Sequence, residues 1–245
     1  MVQEIPSSTE TSPIKYPDSD GQPMADNTLQ FQWIVTIKEN LELLFAPDPN
    51  VFVAGDLLWY PVEGNNKIRR APDAMVVFGR PKGYRGSYQQ WREDNIPPQV
   101  VFAIFSPGNS FLEMELKRRF YEQYGVEEYY LYHPQNNDLT GWVISENKLE
   151  VVESINGWVS PRLGIRFELT EMTLKIFRPD GEPFVSFQEL DERRREAEKL
   201  RQIAEEQKQI AENKFESEQK MRQAAEDKLK KLQDKMREMG LELEE

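Results

Sequence analysis

Apolar residues between positions 29 and 44 follow the spacing of one buried helix face. Leu29, Trp33, Ile37, Leu41 and Leu44 recur at steps of four or three residues, which is the period of an amphipathic helix. Asp26 or Asn27 stands where an N-cap is expected. The run from Ala46 to Asn50, with two prolines, ends the pattern. The sequence therefore predicts a helix from about residue 26 to residue 45.

Short apolar runs separated by turn residues follow this helix and predict strands. The clearest are 51–54, 57–60, 74–78 and 100–105; the last is apolar throughout, as in a central strand buried on both faces. A loop of about 20 residues is expected from Gly79 to Pro98. The pattern then predicts a helix over 111–124, ended by Gly125, and a strand at 128–132.

Residues 100–132 thus read as a β-α-β unit, whose two strands should be parallel with a right-handed crossover. A hairpin at 142–153 and short strands near 163–169 and 174–177 complete the pattern. The fold class predicted is mixed α/β, a sheet flanked by helices. Three regions are expected: a flexible arm at 1–23 rich in Ser, Thr, Pro and Asp, a globular domain at 24–187, and a helical tail at 188–245.

The tail carries apolar residues at seven-residue intervals from Leu190 to Met239, mostly Ala in its first half and interrupted by Glu218. A second seam holds Leu229, Met236 and Leu243 but is polar earlier, at 201, 208 and 222. One interpretation is a long solvated helix with many i,i+4 ion pairs. The other is a coiled coil that pairs two or more chains, so that the protein is a homo-oligomer or binds a protein partner through this helix.

Composition narrows the possible chemistry. The chain has 245 residues, no cysteine and one histidine, which excludes disulfides, thiol catalysis and most structural zinc sites. Metal chemistry would have to use carboxylates, which favours Mg²⁺ or a similar hard cation. The N-terminus lacks the features of a secretory signal, no apolar run is long enough for a membrane span, and a cytoplasmic location is expected.

The net charge argues against tight, unassisted DNA binding. It is −12 overall. The tail holds 14 basic and 17 acidic residues and contributes −3, so the first 187 residues carry about −9. Proteins that bind nucleic acid by charge alone normally present a basic surface.

One arrangement of residues could nevertheless support hydrolysis of phosphodiesters. Asp73 opens one predicted strand, a second buried strand ends about thirty residues later, and the next helix carries Lys117. Metal-dependent nucleases use an acid from each of two neighbouring strands to hold a cation, with a nearby Lys that stabilises developing charge. The spacing alone is weak evidence, because an Asp after Pro is common at the start of a strand.

A series of motifs resembles the cyanobacterial branch of the Uma2 (DUF820) family. It comprises 55–64 (GDLLWYPVEG), 71–73 (APD), 76–83 (VVFGRPKG), 106–109 (SPGN), 124–130 (YGVEEYY) and 157–164 (GWVSPRLG). The resemblance covers about residues 20–185. It implies a restriction-endonuclease-like fold of the PD-(D/E)XK superfamily and Mg²⁺- or Mn²⁺-dependent endonuclease activity, with Asp73 as a metal ligand and Lys117 as the catalytic Lys.

The chain departs from that pattern at position 103. Relatives carry Glu in the strand before Ser-Pro, whereas this strand reads Ala103-Ile104-Phe105-Ser106-Pro107. The missing acid should weaken metal binding and impair or abolish catalysis. Either the natural protein has Ala at this position, or Ala103 is a deliberate inactivating substitution. Replacement of that acid by Glu113 or Glu115 is conceivable, and Glu113, one turn before Lys117, is the better placed of the two.

Other candidate residues follow from position and composition. Asp56 is a second acid near the same strands and could supply a metal ligand, although a turn role is also open. Arg80, Lys82, Arg85 and Trp91 belong to the only basic and aromatic cluster outside the tail. They could contact nucleic acid, or the segment could simply pack over the edge of the domain.

Two functions therefore remain open on sequence grounds. The first is a Mg²⁺-dependent endonuclease domain, acting on DNA and impaired at position 103. The second is a non-catalytic scaffold that oligomerises or recruits a partner through its tail.

Overall fold

A computed structural model describes residues 14–21 and 23–238. The contacts between residues divide the chain into two units, Met1–Phe187 and Gln188–Glu245. The first unit, called the body below, contains a helix α1 (Thr28–Leu44), a helix α2 (Phe111–Gln123) and all of the strands. The second unit consists, in its described part, of a single helix α3 that begins at Phe187 and ends at Glu238.

Within the described residues, ten strands form one large sheet and two small ones. In chain order they are β1 (Val51–Ala54), β2 (Trp59–Tyr60), β3 (Ala74–Phe78), β4 (Tyr88–Gln89), β5 (Val100–Ile104), β6 (Glu128–His133), β7 (Asp138–Ser145), β8 (Lys148–Val151), β9 (Arg166–Leu169) and β10 (Leu174–Phe177). The large sheet has the order β1-β3-β5-β6-β7-β8. Only β5 and β6 run parallel in it, which confirms the predicted β-α-β unit.

The large sheet separates two apolar clusters because alternate residues of its central strands face opposite sides. Val100, Phe102 and Ile104 of β5 face the side covered by α1. Val101 and Ala103 face the other side, together with Tyr121 of α2. The predicted mixed α/β sheet flanked by helices is therefore confirmed, and β5 lies in its centre, buried along its whole length.

Helices α1 and α2 each begin at a side-chain cap, and the cap of α1 is one of the two residues that the sequence suggests. Asn27 Oδ1 accepts a hydrogen bond from Gln30 N at 2.9 Å, and Ser110 Oγ accepts one from Glu113 N at 3.2 Å. Gly125 follows α2 with φ of 92°, a conformation that glycine adopts without steric cost. These caps fix where each helix starts relative to the strand ends beside it.

Two segments differ from expectation. The predicted loop over 79–98 contains β4 and a 3-10 turn at Gln90–Arg92, because Tyr88 is fully buried and pairs with Trp59. Of the predicted flexible arm, residues 1–13 and 22 lie outside the described residues. Within the part that is described, Tyr60 Oη donates to Pro17 O at 2.8 Å and Gly64 N donates to Tyr16 Oη at 2.6 Å, so this stretch packs on the body.

No helix in the described ranges combines the length and the apolar character needed to cross a bilayer.

Candidate active-site cleft

A cleft of about 560 Å³ opens between the first turns of α1 and α2 and the segment that leads into β3. Its lining is rich in charged side chains of both signs. The basic ones are Lys67, Arg69, Arg70 and Lys117, and the acidic ones are Asp20, Asp26, Asp56, Asp73 and Glu113. A concave site with convergent polar groups is the ordinary place to look for chemistry in an α/β protein.

Asp73 is the best-fixed acid in this cleft. It immediately precedes β3, and its Oδ2 accepts a hydrogen bond from the backbone N–H of Ile104 in β5. Burial raises the pKa of Asp73 to about 6, although the Ile104 N–H and the positive charge of Lys117 both act to lower it. The negative charges of Asp56 and Asp26 add to the rise. Removal from water thus outweighs the favourable contacts of the carboxylate.

Ala103 occupies the position across the sheet from Asp73. The antiparallel register pairs Ala74 with Phe102, so one further step places residue 73 opposite residue 103. Residues opposite each other on one face have Cβ atoms about 5 Å apart. Ala103 itself is 2% exposed and packs among apolar side chains, including Val101, Tyr121 and Tyr129. The hydroxyl of Tyr129 is buried there without a hydrogen-bond partner among the described residues.

Lys117, which was predicted as a site residue, lines the cleft from α2. Its Nζ lies 3.8 Å from Glu113 Oε1, and its charge acts on Asp73. Glu115 has a different environment, since Arg118 and Arg119 bind it and lower its pKa to about 2. Of the two acids that might replace a Glu at 103, only Glu113 lines the cleft.

Asp56 enters the cleft from the turn after β1, with φ of 47°. Its backbone N–H donates to Pro72 O at 3.1 Å, which ties the turn to the residue before Asp73. Burial raises the pKa of Asp56, and the charge of Asp20 adds to this effect. The cleft therefore holds several carboxylates whose mutual repulsion a cation would relieve.

Two groups from the start of α1 hold the end of β5 and were not singled out from the sequence. Gln30 Nε2 donates to Ile104 O at 3.0 Å, and Gln30 Oε1 accepts from Asp26 N at 2.8 Å. Asp26 Oδ2 in turn accepts from the hydroxyl of Ser106. The Ile104 peptide is thus bonded on both sides, by Asp73 at its own N–H and by Gln30 at its carbonyl. A polar residue on the otherwise apolar face of α1 is the signal that could have revealed Gln30.

A nuclease of this kind would need side chains that together hold a metal ion. Within 14–21 and 23–238, no group of three or more His, Cys, Asp and Glu side chains is arranged to hold an ion. Asp73 has one oxygen bonded to the Ile104 N–H, and Ala103 offers no donor. Of the two carboxylates expected beside β3 and β5, only that of Asp73 is present, so the site does not fit a metal ion held by such a pair.

The predicted nucleic-acid contacts lie elsewhere and are largely engaged within the body. Glu93 binds Arg80 Nε at 3.0 Å and Arg85 Nε at 2.6 Å. Lys82 Nζ donates to Phe45 O at 2.7 Å, and Trp91 packs against the ring of Tyr16. None of Arg80, Lys82, Arg85 and Trp91 lines the cleft.

Three basic residues of the cleft, Lys67, Arg69 and Arg70, were not singled out from the sequence. They come from the turn between β2 and β3, where Arg70 pairs with Trp59 through backbone hydrogen bonds. The Arg70 Nε is buried without a hydrogen-bond partner among the described residues, and its guanidinium lies 5.4 Å from the centre of the Phe120 ring. Lys67, Arg69 and Arg70 follow an irregular turn, so no periodicity in the sequence marks them.

The body is thus a mixed α/β domain with a charged cleft beside Asp73. Residues 4–180 match the Uma2 family model, which is described as "Putative restriction endonuclease". The match covers most of the chain, and the protein belongs to the Uma2 family.

The chain also resembles solved structures. A structure described as that of a "putative nuclease belonging to DUF820" from Anabaena variabilis ATCC 29413 has 12% sequence identity and a TM-score of 0.42. The alignment covers 55% of this chain and 72% of that chain. No curated protein matches the sequence.

Proposed function

We propose that the body is an endonuclease-type domain for the hydrolysis of DNA phosphodiesters, and that Ala103 impairs or abolishes this activity. The observation that carries the proposal is the register of β3 and β5, which sets Asp73 opposite Ala103. The charge of Lys117 acts on Asp73 from α2. Asp73 and Lys117 are present, and Ala103 occupies the position proposed for the second acid. The family description supports DNA as the substrate.

The cofactor proposed for such hydrolysis is Mg²⁺ or Mn²⁺, held weakly because position 103 supplies no oxygen. Hard cations bind carboxylate oxygens, and Asp73 and Asp56 are the acids proposed to remain available. Without a cation, burial raises the pKa of Asp73 and favours its neutral form.

Replacement of Ala103 by Glu tests the proposal. Plasmid cleavage in Mg²⁺ or Mn²⁺ should be slow or absent for the natural chain and should appear in Ala103→Glu. Ala103→Gln is the matched control, because it adds nearly the same bulk without the charge. The double variant Ala103→Glu/Asp73→Asn should lose the gained activity. If folded Ala103→Glu cleaves no DNA, the proposal is wrong.

DNA contact is proposed for the cleft cations and not for the segment at 80–92. Lys67 and Arg69 line the cleft, whereas Arg80 and Arg85 share Glu93. Each lost phosphate contact lowers the salt dependence of binding by about one in log–log slope. Lys67→Ala/Arg69→Ala should therefore reduce the slope by about two in fluorescence anisotropy titrations. Lys82→Ala, which removes a cation bound to a backbone carbonyl, should change it little.

A second candidate function is that of a scaffold that self-associates through its tail. The observation that favours it is the large number of apolar side chains exposed along α3, which has no buried residue of its own. Light scattering on the full chain and on residues 1–187 tests this candidate. A dimeric mass for the full chain and a monomeric mass for the shorter one are expected, and equal masses per chain would contradict it.

A further inference from the structure

Helix α3 exposes large apolar side chains over most of its length. Leu200, Ile203, Ile210, Phe215, Met221, Leu229 and Leu232 are each between 50% and 67% exposed. Large apolar side chains are unfavourable on a helix surrounded by water, and a run of them on one face indicates a contact surface. The helix has 52 residues and is therefore about 78 Å long.

Most of these apolar residues form one stripe with an eleven-residue period, and Phe215 lies outside it. Ile210, Met221 and Leu232 are eleven positions apart, and Ala225, Leu229 and Met236 fill the positions between at steps of three or four. Leu200 and Ile203 continue the stripe toward the N-terminus. Eleven residues make three helical turns with little drift, so this spacing keeps the stripe on one side of a nearly straight helix. It describes the larger side chains better than the seven-residue repeat, whose early positions are Ala.

Two charged residues interrupt the stripe at its centre. Lys214 and Glu218 occupy stripe positions and form an ion pair within the helix, with Nζ and Oε1 4.0 Å apart. In a parallel pair of helices in register, each would face its own copy, and like charges in a seam are unfavourable. In an antiparallel pair centred on residue 216, each Lys214 would face the Glu218 of the other chain.

The same centre also matches the apolar residues. With residue 216 at the two-fold axis, partners across the seam have numbers that add up to 432. Leu200 then lies opposite Leu232, Ile203 opposite Leu229, and Ala211 opposite Met221. The last pair sets a small residue against a large one. This axis therefore sets opposite charges together at the centre and Leu or Ile residues together on either side, whereas Ile210 comes level with Arg222 and Met236 with Glu196.

The distribution of charge along the helix favours the same direction. Residues 188–213 hold six basic and eight acidic side chains, whereas residues 214–238 hold eight basic and six acidic ones. An antiparallel pair sets the net negative half of each helix beside the net positive half of the other. A parallel pair sets like halves together, at a cost that salt reduces.

We infer that α3 pairs with the α3 of a second copy of this chain in an antiparallel two-helix coiled coil centred near residue 216. The inference rests on the tail self-association proposed above and specifies its partner, direction and register. It involves residues 200–232 of both chains and needs no contact from the body.

Cysteine cross-linking of the full chain tests the inference, because the chain has no cysteine of its own. Isotope-labelled Leu229→Cys chains are mixed with unlabelled Ile203→Cys chains, oxidised with diamide, and digested for mass spectrometry. The disulfide between residues 203 and 229 of unlike chains should exceed either self-linkage at least tenfold. Gln202→Cys with Lys230→Cys is the matched control, since these residues have the same sum but lie on the polar face, and they should not cross-link.

The possible failures can be told apart. A monomeric mass for the unsubstituted full chain in light scattering would overturn self-association, and the inference with it. A dimeric mass with self-linkage at 203 and at 229 would overturn only the antiparallel direction. A dimeric mass with efficient 202–230 linkage would overturn the assigned seam.

Discussion

Replacement of Asp73 by Asn should stabilise the protein at neutral pH relative to acid pH. Asn retains an oxygen that can accept the Ile104 N–H but carries no charge to be removed from water. A rise of the Asp73 pKa from 3.8 to about 6 corresponds to at most about 3 kcal/mol, at about 1.4 kcal/mol per pH unit. Partial exposure reduces the effect, so a value between about 1 and 3 kcal/mol is expected.

The sign follows from proton binding. Between pH 4 and pH 6 the folded state keeps a proton on Asp73 that the unfolded state has lost, so this group makes the natural protein less stable as the pH rises. Below pH 4 Asp73 is protonated in both the folded and the unfolded state, so its ionisation does not lower the stability of the folded state there. The difference in unfolding free energy between Asp73→Asn and the natural chain should therefore grow in favour of the variant from pH 4 to pH 7.

Urea denaturation at pH 4, 5, 6 and 7 measures this difference. Asp48→Asn is the matched control, because Asp48 is exposed and its Oδ1 also accepts one backbone N–H, from Asn50 at 2.8 Å. The control reports the loss of one surface charge. A pH-independent difference for Asp73→Asn, or a variant that becomes relatively less stable toward pH 7, would refute the argument from burial.

Two further predictions concern the neighbours of Asp73. Lys117→Met removes the positive charge that lowers the pKa of Asp73, so carboxyl carbon NMR should show this pKa rising above about 6; an unchanged or lower value would place Lys117 outside the site. Gln30→Ala leaves the buried carbonyl of Ile104 without its donor, and the free energy of unfolding should fall by about 1–3 kcal/mol. The exposed Gln32→Ala provides the comparison for loss of a Gln from the same helix, and equal effects of the two would contradict the assigned role.

Sequence patterns were sufficient where the signal is local. The apolar run at 100–105 predicts a central strand, and the segment after it predicts the parallel β-α-β unit that brings Lys117 toward Asp73. Position 103 follows from the same strand, since alternation along β5 determines which face its side chain takes. These features depend on periodicity and on short-range connectivity, and the sequence carries both.

Features that depend on distant partners could not be predicted in this way. Arg80 and Arg85 look like free cations in the sequence, and only the folded chain shows Glu93 between them. Gln30 reaches Ile104 across 74 positions, and Arg70 enters the cleft from an irregular turn. In the tail, small Ala residues at seven-residue intervals suggest one repeat. The larger side chains have an eleven-residue spacing instead, and this spacing matters more for packing.

We propose that the body is a nuclease-type domain whose activity is impaired because Ala103 occupies the position of one acid. The initial rate of plasmid cleavage by Ala103→Glu, measured in Mg²⁺ against Ala103→Gln at equal folded concentration, tests it most directly. The Glu variant should show measurable cleavage that chelation by EDTA abolishes, and the Gln variant should show little or none. Equal rates for the two variants, or no cleavage by a folded Ala103→Glu protein, would contradict it.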